Sequence, residues 1–540
     1  MNSHLSGSAR YFSAAIIVAS IAVYTSQASA SELLSLTADD KFVVAATLDD
    51  MGTLDPAKAY EFSTSDLLHN VYDSLVTENP NMPGEFLPSL AESWQISEDG
   101  RVFTFAIRPD VMFDSGEILS PADAVFSLRR LMLLDAAPSS IFTALGLTRE
   151  TSDAQIFDQG ENLVIQLPAP VAPELLLSAL STTAASILDH KTILANSTSD
   201  DWGTVWLSEN TAGTGPFTLY SLSRGLDYVL KARQNHWRGP PKLAKVRVHH
   251  VPDSGTQKAL LEMGLLDVAR SIRPEDIAQL AQNPEIRIQS ELTGEIQYLA
   301  ANMAHPMLSN PAVIAAMRWL VDYEAIAAKS GLAGNRLVHQ SVLPQGVYAA
   351  LDDTPFKFDA ARAREILDAA DIGPFSVTLL VRDTDERVQI AQAIRDSFAE
   401  AGIDISLKIK SGRDVLAQYR AREHDLILEA WIPEYSDPHF NAASFARNND
   451  NSNAAENTGS LAWRNNFRSE DLNAMVDAAS ALQDPGERAD IYRALQREHR
   501  DTAPFVILFQ KVEQTATLAQ ISGFNSGGIT RRVSFRDIVK

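Results

Sequence analysis

Cysteine is absent from all 540 residues of this chain. Its absence excludes disulfides, thiolate metal sites, thiol nucleophiles and a lipid-modified N-terminal cysteine. Positive charge is scarce as well: 46 Lys and Arg stand against 69 Asp and Glu, a formal net charge of -23. Such a field repels phosphate backbones and anionic membrane surfaces, so nucleic acid is not an expected partner. The acidity itself reads as solubility rather than as attraction for a cationic ligand. Long apolar runs are missing beyond the N-terminus. The run from Phe12 to Val23 follows Arg10 and precedes Ala28-Ser29-Ala30. It falls short of the ~20 residues that a membrane-spanning helix needs, so residues 1–30 read as a cleaved signal peptide and the mature chain begins near Ser31. Also missing are HExxH, GxSxG and GxxxxGK[ST] patterns, and with them any spacing that compels metalloprotease, serine hydrolase or nucleotide-binding chemistry. His249 and His250 are adjacent in an expected strand, where their rings point to opposite faces and do not share a metal. No metal site, cofactor or catalytic residue is expected.

The remaining composition, 45% hydrophobic and 21% charged, is that of a soluble globular protein, and the length exceeds one ordinary core, so at least two lobes are expected. Near the start, Phe42 to Leu48 reads as a strand and the pattern through Leu67, Leu68, Val71 and Leu75 as a helix. Asp99-Gly100 between Trp94–Ile96 and Val102–Ile107 signals a hairpin with Phe103, Phe105 and Ile107 facing the core. Ser120-Pro121-Ala122-Asp123 is a helix start, with Ser120 as cap and Pro121 in the first position. From Gly213 the chain turns β-rich, and Asn310-Pro311 caps another helix. Between Ser376 and Trp431 strands and helices alternate with short connections, which predicts a mainly parallel sheet with covering helices, an α/β arrangement. Alternation of Ile403, Ile405, Leu407 and Ile409 with polar residues puts that strand near an edge.

Ligands of open α/β sheets bind beyond the carboxyl ends of the strands. That rule selects Val381-Arg382-Asp383 and Trp431-Ile432-Pro433-Glu434-Tyr435-Ser436-Asp437-Pro438, which together offer a cation, an aromatic wall and carboxylates. Arg382 suits a ligand carboxylate, because a guanidinium grips it in bidentate fashion; its alternative is a surface ion pair. Trp431 suits apolar ligand groups, or core packing at a strand end. Glu434 suits an ammonium, or solvent. Asp437 precedes proline, and its side chain also suits organising the turn.

Several segments in order, Thr53-Leu54-Asp55-Pro56, Val71-Tyr72-Asp73-Ser74-Leu75-Val76, Pro88 through Asp110, Gly213-Thr214-Gly215-Pro216-Phe217, Asn235-His236-Trp237 and Asp437-Pro438, make the chain resemble the extracellular solute-binding proteins of ABC importers. The resemblance is to the large family that includes dipeptide and oligopeptide binders. It implies a two-lobe periplasmic-binding-protein fold of type II-like form with an additional subdomain in lobe one. Residues 31–302 would form lobe I, including the extra subdomain at about 57–189, residues 303–503 lobe II, and residues 504–540 the return to lobe I. It also implies a monomeric periplasmic protein that closes on a peptide or peptide-like ligand and docks on permease subunits in the inner membrane, powered by an ATPase. In peptide-binding members an aspartate at the position of Glu434 pairs with the ligand's α-amino group, and dipeptide binders place an arginine near Arg382 for its carboxylate. Two alternatives stand beside this reading. One is the same fold around a metal chelate, haem, opine or sugar; the other is a secreted hydrolase using Glu434 and Asp437 as paired carboxylates.

Overall fold

The computed structural model describes residues 41–540 except 60, 80–81, 199 and 330–332; the expected signal peptide lies outside the described residues. Among these residues no helix is long and apolar enough to cross a membrane.

One large mixed sheet organises the molecule. Its strands run in the order Ile403–Lys410, Phe375–Arg382, Leu426–Trp431, Ile286–Ala301, Phe505–Leu518, Val268–Ala269, Lys41–Ala46, Lys245–His250, Asp227–Ala232 and Phe217–Ser223, with Arg336–Val338 paired to Phe505–Leu518. At each end a strand lies parallel to both neighbours: Phe375–Arg382 in one half and Lys41–Ala46 in the other. Parallel strands need crossover connections, and helices supply them here, Asp385–Ala399 and Gly412–Arg420 covering the first half. The alternation expected between Ser376 and Trp431 is therefore observed, and Ile403–Lys410 is the edge strand. Its apolar side grades outward, from Ile403 and Ile405 in the core to Ile409, 47% exposed.

The two halves have separate apolar cores. Leu299, Met317, Leu379, Ile394 and Phe398 belong to one, and Phe42, Leu67, Tyr228, Val246 and Phe535 to the other. A four-stranded antiparallel sheet of Ala91–Ile96, Val102–Ile107, Asn162–Gln166 and Ile156–Gln159 stands apart from both and buries a third core with Phe103, Phe105, Leu128, Leu131 and Leu176. The hairpin and helix signals read above lie in this unit. Its helix Pro121–Leu134 begins in a capping box, Asp123 accepting from the Ser120 N–H at 2.8 Å. Arg130 of that helix is 1% exposed and grips Asp55 in bidentate fashion at 2.7 and 2.6 Å, which fastens the unit to the Thr53–Pro56 turn.

Two long antiparallel strands join the halves. Ile286–Ala301 and Phe505–Leu518 pair along most of their length, with a register break between Leu292 and Ile296. Before the break the pair borders the half built on Lys41–Ala46; beyond it, Ile296–Ala301 also pairs with Leu426–Trp431. Gly294 sits in the break, and a Cβ there would lie 2.6 Å from both the Ile529 carbonyl and the Pro433 ring. Only a residue without a side chain lets the C-terminal segment and the loop after Trp431 approach this closely. Charge accumulates at the same point: Glu295 lies 3.6 Å from Lys511 and 3.8 Å from Arg531, and Arg531 reaches Glu513 at 3.3 Å.

Candidate functional site

A cavity of about 690 Å³ lies where three parts of the chain converge, within the size range of small-molecule sites. One wall comes from the helix Phe62–Val71 and the following Tyr72–Asn79, another from His236 and Arg238, and the floor from Gly523–Asp537. Leu292, Gln345 and Gly346 close it beside the strand break. Gly527 makes the floor possible: its φ is +94° and a Cβ would lie 2.2 Å from the Arg532 nitrogen, so the turn that brings Arg532 into the cavity tolerates glycine alone.

The charged groups of the lining are balanced, Asp73, Glu78 and Asp537 against Arg238, Arg532 and Arg536. Asp73 accepts from Trp237 Nε1 at 3.1 Å and Thr214 Oγ1 at 2.9 Å, with His236 Nε2 at 3.6 Å and Arg238 at 3.8 Å. Burial alone raises its pKa, but His236, Arg238 and Trp237 outweigh burial and hold it at about 2. His69 goes the other way: burial, reinforced by the Arg532 guanidinium, lowers its pKa to about 4, so the ring is neutral at physiological pH. Arg536 pairs with Asp537 at 2.8 Å. Glu78 ends the strand Val76–Glu78, and burial pushes its carboxyl up against the opposing pull of Ser436 and Arg532.

The segment after Trp431, from the other half of the sheet, bonds to residues of this lining without lining the cavity itself. Ser436 donates its hydroxyl to Glu78, and Tyr435 packs into the core of the four-stranded unit. Arg532 bridges the two sides, Nη1 donating to the Ser181 carbonyl at 3.2 Å and Nη2 to the Glu434 carbonyl at 2.8 Å. Further along, the Ala172 N–H meets the Ser480 carbonyl at 2.8 Å and Gln483 Nε2 the Val171 carbonyl at 3.0 Å. The lobes are thus in contact around the cavity.

None of the four residues selected from sequence lines this cavity; Glu434 is half-buried, and its main-chain carbonyl accepts from Arg532 of the lining. Trp431 stacks on Phe440 with centroids 5.5 Å apart and meets Phe445 edge-on. Asp437 accepts from Arg488 Nη1 and Nη2 at 2.8 and 2.7 Å and caps the helix Pro438–Ala446 by accepting the His439 N–H at 2.8 Å. Arg488 is fully buried; burial opposes its charge, but Asp437 and Tyr492 hold the guanidinium well above its ordinary pKa. Arg382 donates Nε to the buried Glu429 at 2.5 Å at its strand end, and its side chain is 38% exposed. Sequence reasoning missed Asp73, Glu78, Arg238 and Arg532. Asp73 lies within one of the segments of the resemblance and Arg238 directly follows another, which was the available signal; nothing local marks Glu78 or Arg532. His250 turns its Nδ1 to accept the Leu48 N–H at 2.9 Å, and among the described residues no cluster of His, Cys, Asp and Glu is arranged to hold a metal.

Residues 85–453 match the family described as bacterial extracellular solute-binding proteins, family 5 Middle. The chain is 25% identical over 482 residues to the probable D,D-dipeptide-binding periplasmic protein DdpA of Escherichia coli, covering 88% of this chain and 89% of that protein. It is 23% identical over 480 residues to heme-binding protein A of Haemophilus influenzae, covering 84% of each. Among solved structures, HbpA2 from Haemophilus parasuis superposes with a TM-score of 0.78 at 21% identity, covering 92% of this chain and 99% of that one. The periplasmic binding protein DppA from Helicobacter pylori, in complex with the peptide STSA, gives a TM-score of 0.74 at 22% identity, covering 92% and 97%. These likenesses show a two-lobe periplasmic-binding-protein fold.

Proposed function

Since this chain belongs to the bacterial extracellular solute-binding proteins of family 5, we propose that it captures small peptides or peptide-like solutes in the periplasm and delivers them to a membrane permease driven by an ATPase. The observation that carries this reading is the cavity itself: residues of lobe one line it together with Gln345 and Gly346 of lobe two, and Glu434 and Ser436 of lobe two bond to its wall and floor. A ligand there touches both lobes when they are together. It therefore has differential affinity for the closed form, which is what shifts an open–closed equilibrium. The hinge in this reading is the register break at Leu292–Ile296 with its partner strand, a few residues before the crossover expected at Asn302.

Glu434 is the proposed anchor for the ligand's ammonium, with Trp431 beside it as apolar wall and Arg382 as the candidate for its carboxylate. Asp437 contributes by holding the segment: its carboxylate is engaged by Arg488 and the helix start. That engagement also weakens the hydrolase reading, which needs Asp437 as a working acid or base. The names of several relatives include dipeptides or di/tripeptides, and one names heme.

The test is to purify the mature chain from Ser31 without unfolding it and to weigh it under native and denaturing conditions. Peptides released between the two measurements are the expected result. Release of haem, an opine or a metal chelate would keep capture and discard peptides as the cargo.

A further inference from the structure

A second, much smaller cavity lies in the half of the molecule built on Phe375–Arg382 and shares no lining residue with the solute cavity. Its volume is about 10 Å³, room for one group of about the size of a water molecule. It sits where the helices Pro311–Leu320 and Pro485–Thr502 end and the long strand Phe505–Leu518 begins. Two guanidiniums line it, Arg318 from the first helix and Arg500 from the second.

The neutral polar side chains of the lining are already engaged. Gln340 donates to the Phe356 carbonyl and accepts from the Phe356 N–H, both at 2.9 Å. Ser341 donates to Gln496 at 2.7 Å, and Tyr323 to the Arg318 carbonyl at 3.0 Å. His499 has its Nε2 3.3 Å from the Phe445 carbonyl, and burial lowers its pKa to about 3, so the ring brings no charge at physiological pH. The guanidiniums differ. Arg318 is 3% exposed and donates Nη2 to the Ala503 carbonyl at 2.7 Å, but its Nε is buried with no hydrogen-bond partner among the described residues. The same holds for Nε of Arg500. Arg500 is paired with Asp353 at 3.0 Å, whereas Arg318 forms no ion pair among the described residues. Burial lowers the Arg318 pKa to about 10, with Arg500 acting in the same direction and the exposed Asp501 against it, so Arg318 remains charged at neutral pH.

A buried charge without a counter-charge is costly, and a buried donor without an acceptor adds to the cost. A water molecule in the cavity meets the second cost and not the first; a small anion meets both, and guanidinium N–H groups are suited to hold one. We propose that this cavity is a binding site for a single small inorganic anion, chloride, held by Arg318 with Arg500 beside it. The ion ties the ends of two helices together next to the start of Phe505–Leu518, so it acts on the stability of this lobe and not on capture of the solute.

The experiment is urea unfolding of the whole mature chain in sodium chloride and in sodium gluconate at matched ionic strength, for the unaltered protein and for Arg318→Met. Gluconate is too large for the cavity. One ion bound by the folded state alone multiplies the ratio of folded to unfolded protein by 1 + [Cl⁻]/Kd, so above Kd each tenfold rise in chloride is expected to raise that ratio by about tenfold in the unaltered protein. Arg318→Met is expected to show no difference between chloride and gluconate. Long-wavelength diffraction from crystals of the unaltered protein grown in chloride checks the site without relying on a variant that folds, and an anomalous peak beside Arg318 is expected. Equal chloride dependence of the two proteins, no chloride dependence of the unaltered protein, or an ordered water without anomalous signal beside Arg318 overturns the site.

Discussion

Asp437→Ala is expected to destabilise the folded protein by about 3–5 kcal/mol, read as a fall in the midpoint of chemical unfolding. Arg488 is fully buried, and its two terminal nitrogens both donate to Asp437. Its remaining partners are neutral, the Ala479 carbonyl and the Tyr492 hydroxyl, apart from Glu174 at 3.9 Å. Removing Asp437 strands a guanidinium that burial already disfavours. It also removes the side-chain acceptor at the start of Pro438–Ala446, a loss of about 1 kcal/mol on its own. Replacing both partners, Asp437→Ala with Arg488→Met, is expected to recover much of the loss, because no buried charge is then left alone. If Asp437→Ala instead unfolds at the midpoint of the unaltered protein and loses ligand, Asp437 serves the ligand and not the fold.

Glu434→Gln is expected to have the opposite signature: an unfolding midpoint much closer to that of the unaltered protein than that of Asp437→Ala, and an affinity for free-amine peptides lower by about ten- to hundredfold. Amide and carboxylate have the same shape, so packing is preserved and the charge alone is removed. The Arg532 contact with this residue goes to the main-chain carbonyl and survives the change. Glu434→Asp restores the charge on a shorter arm and is expected to keep the requirement for a free amine. Equal affinity of the unaltered protein and Glu434→Gln for dialanine, measured by calorimetry, would remove Glu434 from the binding set.

The pattern of these residues explains how far the sequence could be read. Elements whose signals are local were legible: the hairpin at Asp99-Gly100, the capped helix after Ser120, and the βαβαβ run ending at Trp431, where strand, helix and edge character all agree with the structure. The length of Ile286–Ala301 was not, because its first half pairs within one lobe and its second half within the other, so its burial changes along the strand. In the site, the rule that ligands gather beyond strand ends led to the Trp431–Pro438 loop, none of whose residues lines the cavity, although its Glu434 carbonyl and Ser436 hydroxyl bond to Arg532 and Glu78 of the lining. What it could not supply was the opposite wall. Glu78, Asp73 and Arg238 sit on loops and a three-residue strand far away in the chain, and Arg532 arrives from the C-terminal segment through the Gly527 turn. Their meeting depends on tertiary contacts without a periodic trace. Arg382 and Asp437 carry the residue types a site needs, yet their first partners, Glu429 and Arg488, are 47 and 51 residues away, beyond any local pattern.

Capture by closure is tested most directly by small-angle scattering of the mature chain with and without saturating dialanine, after calorimetry has established occupancy. The account predicts a smaller radius of gyration with ligand, and a smaller ligand-induced change in Glu434→Gln at the same peptide concentration. An unchanged radius at full occupancy would contradict it, since a ligand that binds without bringing the lobes together has no preference for the closed form.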